Sequence, residues 1–467
     1  MLPKGFADGE ICIVGLGYVG LTLAAAMADS GFRVHGLEKQ EAVLNSLKKG
    51  MPHFWEQGLE YTMRRVLNQK RMSVSRELDP SVSATVYIIT VGTPLGPDGK
   101  ARLDMVGSAA KQVAAHMQDG ALVILRSTVR LGTARNVVRP ILEASGKRFE
   151  LAVCPERTLE GRALTELREL PQIIGSDLPE TTMRAAQIFL ILTPTILRVP
   201  RFETAELIKL VDNTYRDVRF AFGNEVARIC SAVGIDASEV IRAGKLGYPR
   251  TNVAWPGPVG GPCLEKDPHI LAESVRDYGI EIDITTAARM VNERLPCEAA
   301  ATIRDLADGL GGFPEQPTIS LLGWAFKGEP ATSDLRGTMA IPIFEAVRKA
   351  FPNASFRGFD ELVPQFQIAK LGVTPVDNLA DAFADADIAI IMNNHKALTT
   401  MPIATLMNRM RAPAFVYDFW NIFSNVSLNL PKGRAYLALG GSQQANWARQ
   451  VRHLNDFAGR DGERVIA

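Results

Sequence analysis

The sequence has no surplus of either charge: Lys and Arg number 52 in the 467 residues, and Asp and Glu number 51. Without a bulk positive field, nothing draws the chain onto nucleic acid or an anionic membrane, so any anion it takes must be held by a local site. Cysteine is scarce. Its five occurrences, Cys12, Cys154, Cys230, Cys263 and Cys297, are dispersed without a CxxC pair. That pattern excludes a disulfide framework or cysteine zinc site and fits thiols in a reducing compartment. No run reaches the roughly 18 uninterrupted apolar residues that a membrane helix needs. The opening MLPKGFADGEICIV sets Lys4, Asp8 and Glu10 ahead of the first apolar run and lacks the apolar core and cleavage site of a secretory signal. The expectation is a cytoplasmic protein of about three domains that uses no metal.

What is present is alternation. Through the first 200 residues, short β-branched runs (EICIVG, FRVHGLE, TVYIITVGTP, ALVILRST, FELAVCPE, PQIIG, PTILRVP) alternate with helical patterns. This is the signature of βαβ units and a mostly parallel sheet. From Thr204 to Cys230 the chain has no proline and one glycine, and Leu207, Val211, Thr214, Val218, Phe222 and Val226 recur at helical spacing. That pattern predicts a long helix burying this stripe. After the breaker GGFPEQP, a second alternating section begins with TISLLGWAF, ASFRGFD, ADIAIIMNNH, AFVYDFW and RAYLALG. The expected fold is α/β: two doubly wound Rossmann-like domains joined by a long helical central segment. The boundaries are 1–200 for the nucleotide domain, 201–310 for the central segment, 311–441 for the second domain and 442–467 for a polar tail.

GLGYVG, from Gly15 to Gly20, follows the strand ICIV and opens an apolar helix. Gly15 permits the tight turn, Gly17 lets backbone approach a pyrophosphate and Gly20 allows close packing. Tyr18 and Val19 begin the helix, whose N-terminus favours negative charge. Glu38 ends the next strand, where an acid accepts hydrogen bonds from an adenosine ribose and repels a 2′-phosphate, which favours NAD over NADP. Three later loops, TPLGPDGKARLD, RSTVRLGT and VCPERTLEG, each follow a predicted strand. Ligands bind beyond the carboxyl ends of strands in such sheets, so Thr93, Ser127, Thr128, Glu156 and Arg157 are candidates for one crevice, although helix capping also uses such residues.

On the long helix, Lys209, Asn213 and Arg216 or Asp217 lie three and four residues apart, away from the apolar stripe. An ammonium beside an amide is suited to an oxyanion. In the second half, Lys327 and Arg336 fall in the loop GWAFKGEPATSDLRGT, and both are suited to phosphate. The stretch GPVGGPCLEKDPH, Gly257 to His269, sets Cys263 among glycines and prolines. By itself it reads first as a packed thiol, since free cysteine is among the most buried residue types, and only second as a nucleophile.

Taken in order, GLGYVG, STV, CPER, AELIKLVDNTYRD, GPVGGPCLEKDP, AFKGEPATSDLRGT, FD and YDFWN resemble the nucleotide-sugar 6-dehydrogenase family over nearly the whole chain. The resemblance implies oxidation of the C6 hydroxymethyl of a UDP-sugar to a carboxylate with two NAD and a water. It assigns Cys263 as the nucleophile that captures the C6 aldehyde, and Lys209 and Asn213 as holders of the C6 oxygen. Asp267, with Thr128, positions a water, and Glu156 does acid or base work on the thioester. Lys327 contacts the sugar nucleotide, together with Arg157, Arg216 and Gly260, and Arg336 reaches toward NAD. The family's common loop is closer to GGSCF, whereas this chain has GGPCL. That form, with YPRTNVAWPGP, resembles the branch acting on UDP-N-acetylglucosamine or UDP-N-acetylmannosamine, which supplies surface polysaccharide precursors. Arg250 then resembles an arginine reaching into a neighbouring subunit, which implies a homodimer or larger assembly. UDP-glucose is the alternative substrate. Rival readings are a single-hydride dehydrogenase of the 6-phosphogluconate or hydroxyacid type, which needs no thiol, and a non-catalytic NAD-binding protein.

Overall fold

In the computed structural model, which describes residues 2, 3, 5–424 and 428–442, the β-branched runs form fourteen strands in two sheets. The expected polar tail lies outside the described residues beyond its first position. The chain divides into two compact units. One holds the residues up to Thr214 together with Lys266–Glu281, and the other holds Tyr215–Glu265 together with the chain from Ile282 onward.

The first unit contains β1 (Glu10–Val14), β2 (Arg33–Leu37), β3 (Met72–Ser75), β4 (Val86–Ile89), β5 (Ala121–Leu125), β6 (Phe149–Val153), β7 (Gln172–Gly175) and β8 (Ile196–Val199). They lie in the order β3-β2-β1-β4-β5-β6-β7-β8, and every pairing is parallel except β6 with β7. Successive side chains point to opposite faces, and both faces are covered. Ile11, Ile13, Ile88 and Ile124 pack in one apolar cluster, and Cys12, Val14, Ile89 and Leu125 in another. That explains why these strands read as continuous apolar runs. Strand order reverses between β1 and β4, which opens a crevice beyond their carboxyl ends. Only β3, MSVS, escaped the sequence reading of this sheet, because two serines break its apolar pattern.

The second unit repeats the plan with β9 (Thr318–Leu322), β10 (Ser355–Phe359), β11 (Thr374–Pro375), β12 (Ile388–Ile391), β13 (Ala414–Asp418) and β14 (Arg434–Ala438), in the order β11-β10-β9-β12-β13-β14. The two units share a local device. Gly15 N–H donates to the Leu37 carbonyl at 2.9 Å, and Gly323 N–H donates to the Phe359 carbonyl at 2.9 Å. Both glycines have positive φ, +94° and +86°, a region that costs other residues energy. The acid ending the second strand then accepts from the next N–H: Glu38 from Leu16 at 3.1 Å, and Asp360 from Trp324 at 2.6 Å.

Four helices matter to the site: α1 (Tyr18–Ser30), α2 (Phe202–Val233), α3 (Asp267–Arg276) and α4 (Asp283–Asp308). The α2 helix corrects the sequence reading. Of the stripe expected to be buried, Val211 is 46 % and Phe222 54 % exposed, and Thr214 is the one fully buried member. The buried face instead carries Glu206, Lys209, Asn213, Asp217 and Asn224 among alanines. Periodicity identified the helix, but the side turned inward is the one whose polar groups find partners.

Candidate active site

At the switch point of the first sheet, the glycine loop has the shape of a dinucleotide cradle. A Cβ at Gly20 would stand 1.9 Å from the Gly15 carbonyl oxygen, so only glycine lets α1 start this close to β1. A Cβ at Gly17 would meet nothing within 4 Å, which leaves the N-terminus of α1 open for a pyrophosphate. The loops after β4 and β5 close beside it. Buried Thr93 donates its hydroxyl to the Thr128 carbonyl, and Ser127 Oγ donates to the Val91 carbonyl at 2.7 Å. Tyr18 donates its hydroxyl to Glu56, a buried acid that also accepts Gly161 N–H at 2.7 Å and so ties the helix start to the loop after β6. Glu56 was not singled out from sequence, because its segment carries no periodic or motif signal.

Glu156 follows β6 and is buried. Its carboxylate accepts Arg126 Nη2 at 2.6 Å and the Thr158 N–H. Burial pushes the carboxyl up, but the Arg126 guanidinium, the Thr158 N–H and the Lys209 ammonium outweigh it and hold it at about 2. Glu156 is therefore a standing carboxylate. It can accept a proton or a hydrogen bond, whereas the acid half of its expected role has no proton to give near neutral pH. Arg126 was visible in RSTVRLGT but passed over. The signal for it was a charge directly at the end of an apolar strand.

On the inward face of α2, Lys209 is 7 % exposed, and its charge reaches Glu156. One turn on, Asn213 donates Nδ2 to Asp267 Oδ2 at 2.6 Å. Asp267 is completely buried, and its other oxygen accepts Lys266 Nζ at 2.8 Å. Asp267 opens α3, and α3 is clamped to the strand-end loops. Glu273 accepts Arg130 Nη1 at 3.1 Å and Ala101 N–H at 2.7 Å, while Ser274 accepts Leu131 N–H at 3.0 Å. Thus Lys209, Asn213, Asp267, Glu156 and Thr128 belong to one unit. Arg157 is there too, with its guanidinium on Asp212 at 3.3 Å and on the Pro171 carbonyl at 2.8 Å.

Cys263 lies in the second unit, exposed and not in a disulfide, which sets aside the packed-thiol reading. Its loop threads past backbone at close range. Gly261 N–H donates to the Gly337 carbonyl at 2.7 Å, and a Cβ at Gly260 would come within 2.3 Å of that oxygen. Lys266, three residues after Cys263 in sequence, has its ammonium engaged by Asp267. Other candidates in this unit sit at the surface. Arg336 is exposed and forks onto Asp334, Arg250 is exposed with its guanidinium 4.7 Å from the Tyr248 ring, and Arg216 is exposed on α2 where Asp217 takes the buried position. Lys327 lies half-buried with its ammonium 5.3 Å from the Phe326 ring. Its loop packs against the loop after β12: a Cβ at Gly323 would stand 2.5 Å from Asn393 Oδ1.

A doubly wound sheet with a glycine cradle at its switch point, and an ammonium, amide and carboxylate set among its loops, defines a dinucleotide-dependent dehydrogenase. The chain belongs to the UDP-glucose/GDP-mannose dehydrogenase family. The models of that family's NAD binding, central and UDP binding domains match residues 9–193, 203–294 and 320–425. Among curated proteins, it is 30 % identical to the UDP-N-acetyl-D-mannosamine dehydrogenase of Methanococcus maripaludis over 394 residues, covering 83 % of this chain and 86 % of that protein. Among solved structures, it resembles the UDP-D-ManNAc dehydrogenase of Pyrococcus horikoshii, with a TM-score of 0.83, 28 % identity, and 93 % and 99 % of the two chains covered. It also resembles a UDP-glucose dehydrogenase of Pyrobaculum islandicum, with a TM-score of 0.83, 26 % identity, and 94 % and 100 % covered. The protein is an NAD-dependent nucleotide-sugar dehydrogenase with a UDP-binding domain. No helix among the described residues is long and apolar enough to cross a membrane.

Proposed function

We propose that the enzyme carries out the four-electron oxidation of the C6 hydroxymethyl of a UDP-N-acetylhexosamine, UDP-N-acetylmannosamine or UDP-N-acetylglucosamine, through a covalent intermediate on Cys263. The observation that carries this reading is the buried Asn213–Asp267 pair one turn from buried Lys209, with an exposed thiol four residues before Asp267. A single-hydride dehydrogenase has no use for that thiol. The acetamido sugar is supported by the curated relatives at 30 % identity in Methanococcus maripaludis and Escherichia coli, both UDP-N-acetyl-D-mannosamine dehydrogenases, and by the GGPCL form of the loop. UDP-glucose is the second reading, favoured by the likeness to the Pyrobaculum islandicum enzyme.

In this scheme, residues 1–200 bind the cofactor, 311–441 bind the UDP moiety and 201–310 supply the nucleophile loop. The backbone of Gly15, Gly17, Tyr18, Val19 and Gly20, with Glu38, Thr93, Ser127 and Thr128, would hold NAD, and Arg336 would approach it. NAD bound there supplies the hydride acceptor for both oxidations. Lys209 and Asn213 hold the C6 oxygen and stabilise the negative charge that grows on it. Cys263 Sγ adds to the C6 aldehyde carbon as the oxygen takes a proton, giving a thiohemiacetal. Loss of the C6 hydrogen as hydride and of that proton leaves the thioester. Asp267 and Thr128 orient the water that cleaves it, releasing the carboxylate and restoring the thiol, and the standing carboxylate of Glu156 is placed to accept the proton lost by water. Covalent capture keeps the aldehyde from leaving between the two steps. Arg157, Arg216, Gly260 and Lys327 are assigned to the sugar nucleotide, and Arg250 to the site of a second copy in a homodimer. We place the enzyme in the cytoplasm, where a working thiol stays reduced, as a source of uronate precursors for surface polysaccharide.

The test is stoichiometry on purified protein with UDP-N-acetylmannosamine, UDP-N-acetylglucosamine and UDP-glucose. Two NADH per sugar are expected for the true substrate, and a ratio of one defeats the thioester scheme. Cys263→Ser should abolish uronate formation while sugar-nucleotide affinity stays within about threefold; unchanged turnover would return Cys263 to an incidental role.

A further inference from the structure

The loop from Gly257 to Leu264 has neither helix nor strand and carries three glycines, so its backbone loses much freedom when it is held in one conformation. Two helices of the same unit supply the restraint. At the loop's start, Asn224 on α2 clasps both backbone groups of Gly257: Nδ2 donates to the carbonyl at 3.1 Å and Oδ1 accepts the N–H at 2.8 Å. Asn224 Nδ2 also donates to Asn292 Oδ1 on α4 at 3.0 Å, and Asn292 Nδ2 donates to Asp217 Oδ1 at 2.9 Å. Arg289, also on α4, donates Nη1 to the same Asp217 oxygen at 2.7 Å and to the Leu264 carbonyl at 3.2 Å. The chain of bonds thus leaves the loop at Gly257 and returns to it at Leu264, the residue after Cys263.

We infer that Asn224, Asn292, Asp217 and Arg289 are positioning residues that hold both ends of the nucleophile loop and thereby set where Cys263 Sγ meets the C6 carbon. This rests on Cys263 being the nucleophile. All four residues are at most 5 % exposed, so water competes little for these bonds. The Asp217–Arg289 ion pair and its bond to Asn292 would join α2 to α4 without touching the loop. Both ends of the network nonetheless close on loop backbone, at Gly257 and at Leu264, which a link between the two helices alone does not require. At Leu264 the buried side chain and the Arg289 bond anchor the backbone beside Cys263, whose own side chain stays exposed. Misplacing a reacting atom by an ångström costs about 100-fold in rate.

Asn224→Ala and Arg289→Lys each cut one end of the clasp, and Arg289→Lys keeps a cation for Asp217. Single-turnover kinetics with excess NAD should show the first NADH within about threefold of the native rate and the second slowed at least about tenfold. Alkylation of Cys263 by iodoacetamide should change rate, while affinities for NAD and UDP-sugar stay within about twofold. Asn224→Ser, which retains a donor for the Gly257 carbonyl, should recover part of the second phase. Equal slowing of both phases, native rates in both variants, or failure of both variants to fold would each overturn the assignment. If Cys263→Ser still yields two NADH per sugar, the nucleophile reading fails; if it is inactive while Asn224→Ala and Arg289→Lys are fully active, only the positioning role fails.

Discussion

Glu206 shows what one buried carboxyl does in this molecule. It lies on the inward face of α2, one turn before Lys209, and accepts Gly132 N–H at 2.6 Å and Ala134 N–H at 2.8 Å. Those bonds fasten the segment following Ser127 and Thr128 to the helix that carries the ammonium. Burial raises its carboxyl from 4.5 to about 7, and the two N–H donors only partly offset this. The folded state therefore holds the proton more tightly than the unfolded chain does. The resulting stability is fully present below about pH 4.5 and drains away as pH rises to about 7, by at most about 1.4 kcal/mol per pH unit for one proton. Urea unfolding of Glu206→Gln at pH 5 and pH 7.5 should show this slope removed, and an unaltered difference between the two pH values would contradict it. Glu156 is the opposite case. It is ionised at any working pH, and it loses its partnership with Arg126 only in strong acid.

At the scale of elements, the glycine turn at the start of α1 separates two jobs that one motif combines. Gly20 is a packing position, because its Cβ would overlap the Gly15 carbonyl, whereas Gly17 faces open space. Gly20→Ala should destabilise the first unit by about 1–3 kcal/mol, the usual penalty for overpacking. Gly17→Ala should leave the melting temperature within about 2 °C, since a helix-start alanine costs little, yet weaken NAD binding at least tenfold. Thermal melts and NAD titration of the two variants separate these effects, and a Gly17→Ala protein with native NAD affinity would remove Gly17 from the cofactor site. The β1–glycine–α1 sequence was legible because turn, close approach and helix start each demand a particular residue. The tie from Tyr18 through Glu56 to Gly161 was not, because hydrogen bonds across 38 and 105 residues leave no local pattern.

At the scale of the whole molecule, we propose that the outward face of α2 takes a partner. Tyr215, Phe222, Ile229 and Val233 are each more than half exposed at spacings of seven, seven and four residues, a continuous apolar stripe on one helix. A second copy of the chain, related by a twofold axis, offers the same stripe to itself, which is the usual route to a closed dimer. Phe222→Lys combined with Ile229→Lys should shift sedimentation from dimer toward monomer. A monomeric native protein, or a double variant that stays dimeric, would place any interface elsewhere. Phe222 also belongs to the stripe that the sequence pattern expected to be buried, and there sequence reasoning went astray. Helical periodicity finds an apolar face but does not say whether the chain's own core or another chain covers it.

The sequence alone determined both doubly wound sheets, the long helix, the nucleotide turn and the order of the chemical motifs. Strand runs, glycine positions and capping patterns are local constraints, written in neighbouring residues. The tertiary structure decided which side of α2 faces inward, that Glu156 stands ionised beside Arg126, that Lys266 is taken by Asp267, and that Asn224 through Arg289 close a ring of bonds on the Cys263 loop. Apart from the adjacent Lys266–Asp267 pair, each of these depends on burial and on partners 25 to 75 residues apart, and a charge or amide has no fixed meaning until its surroundings set what it must pair with.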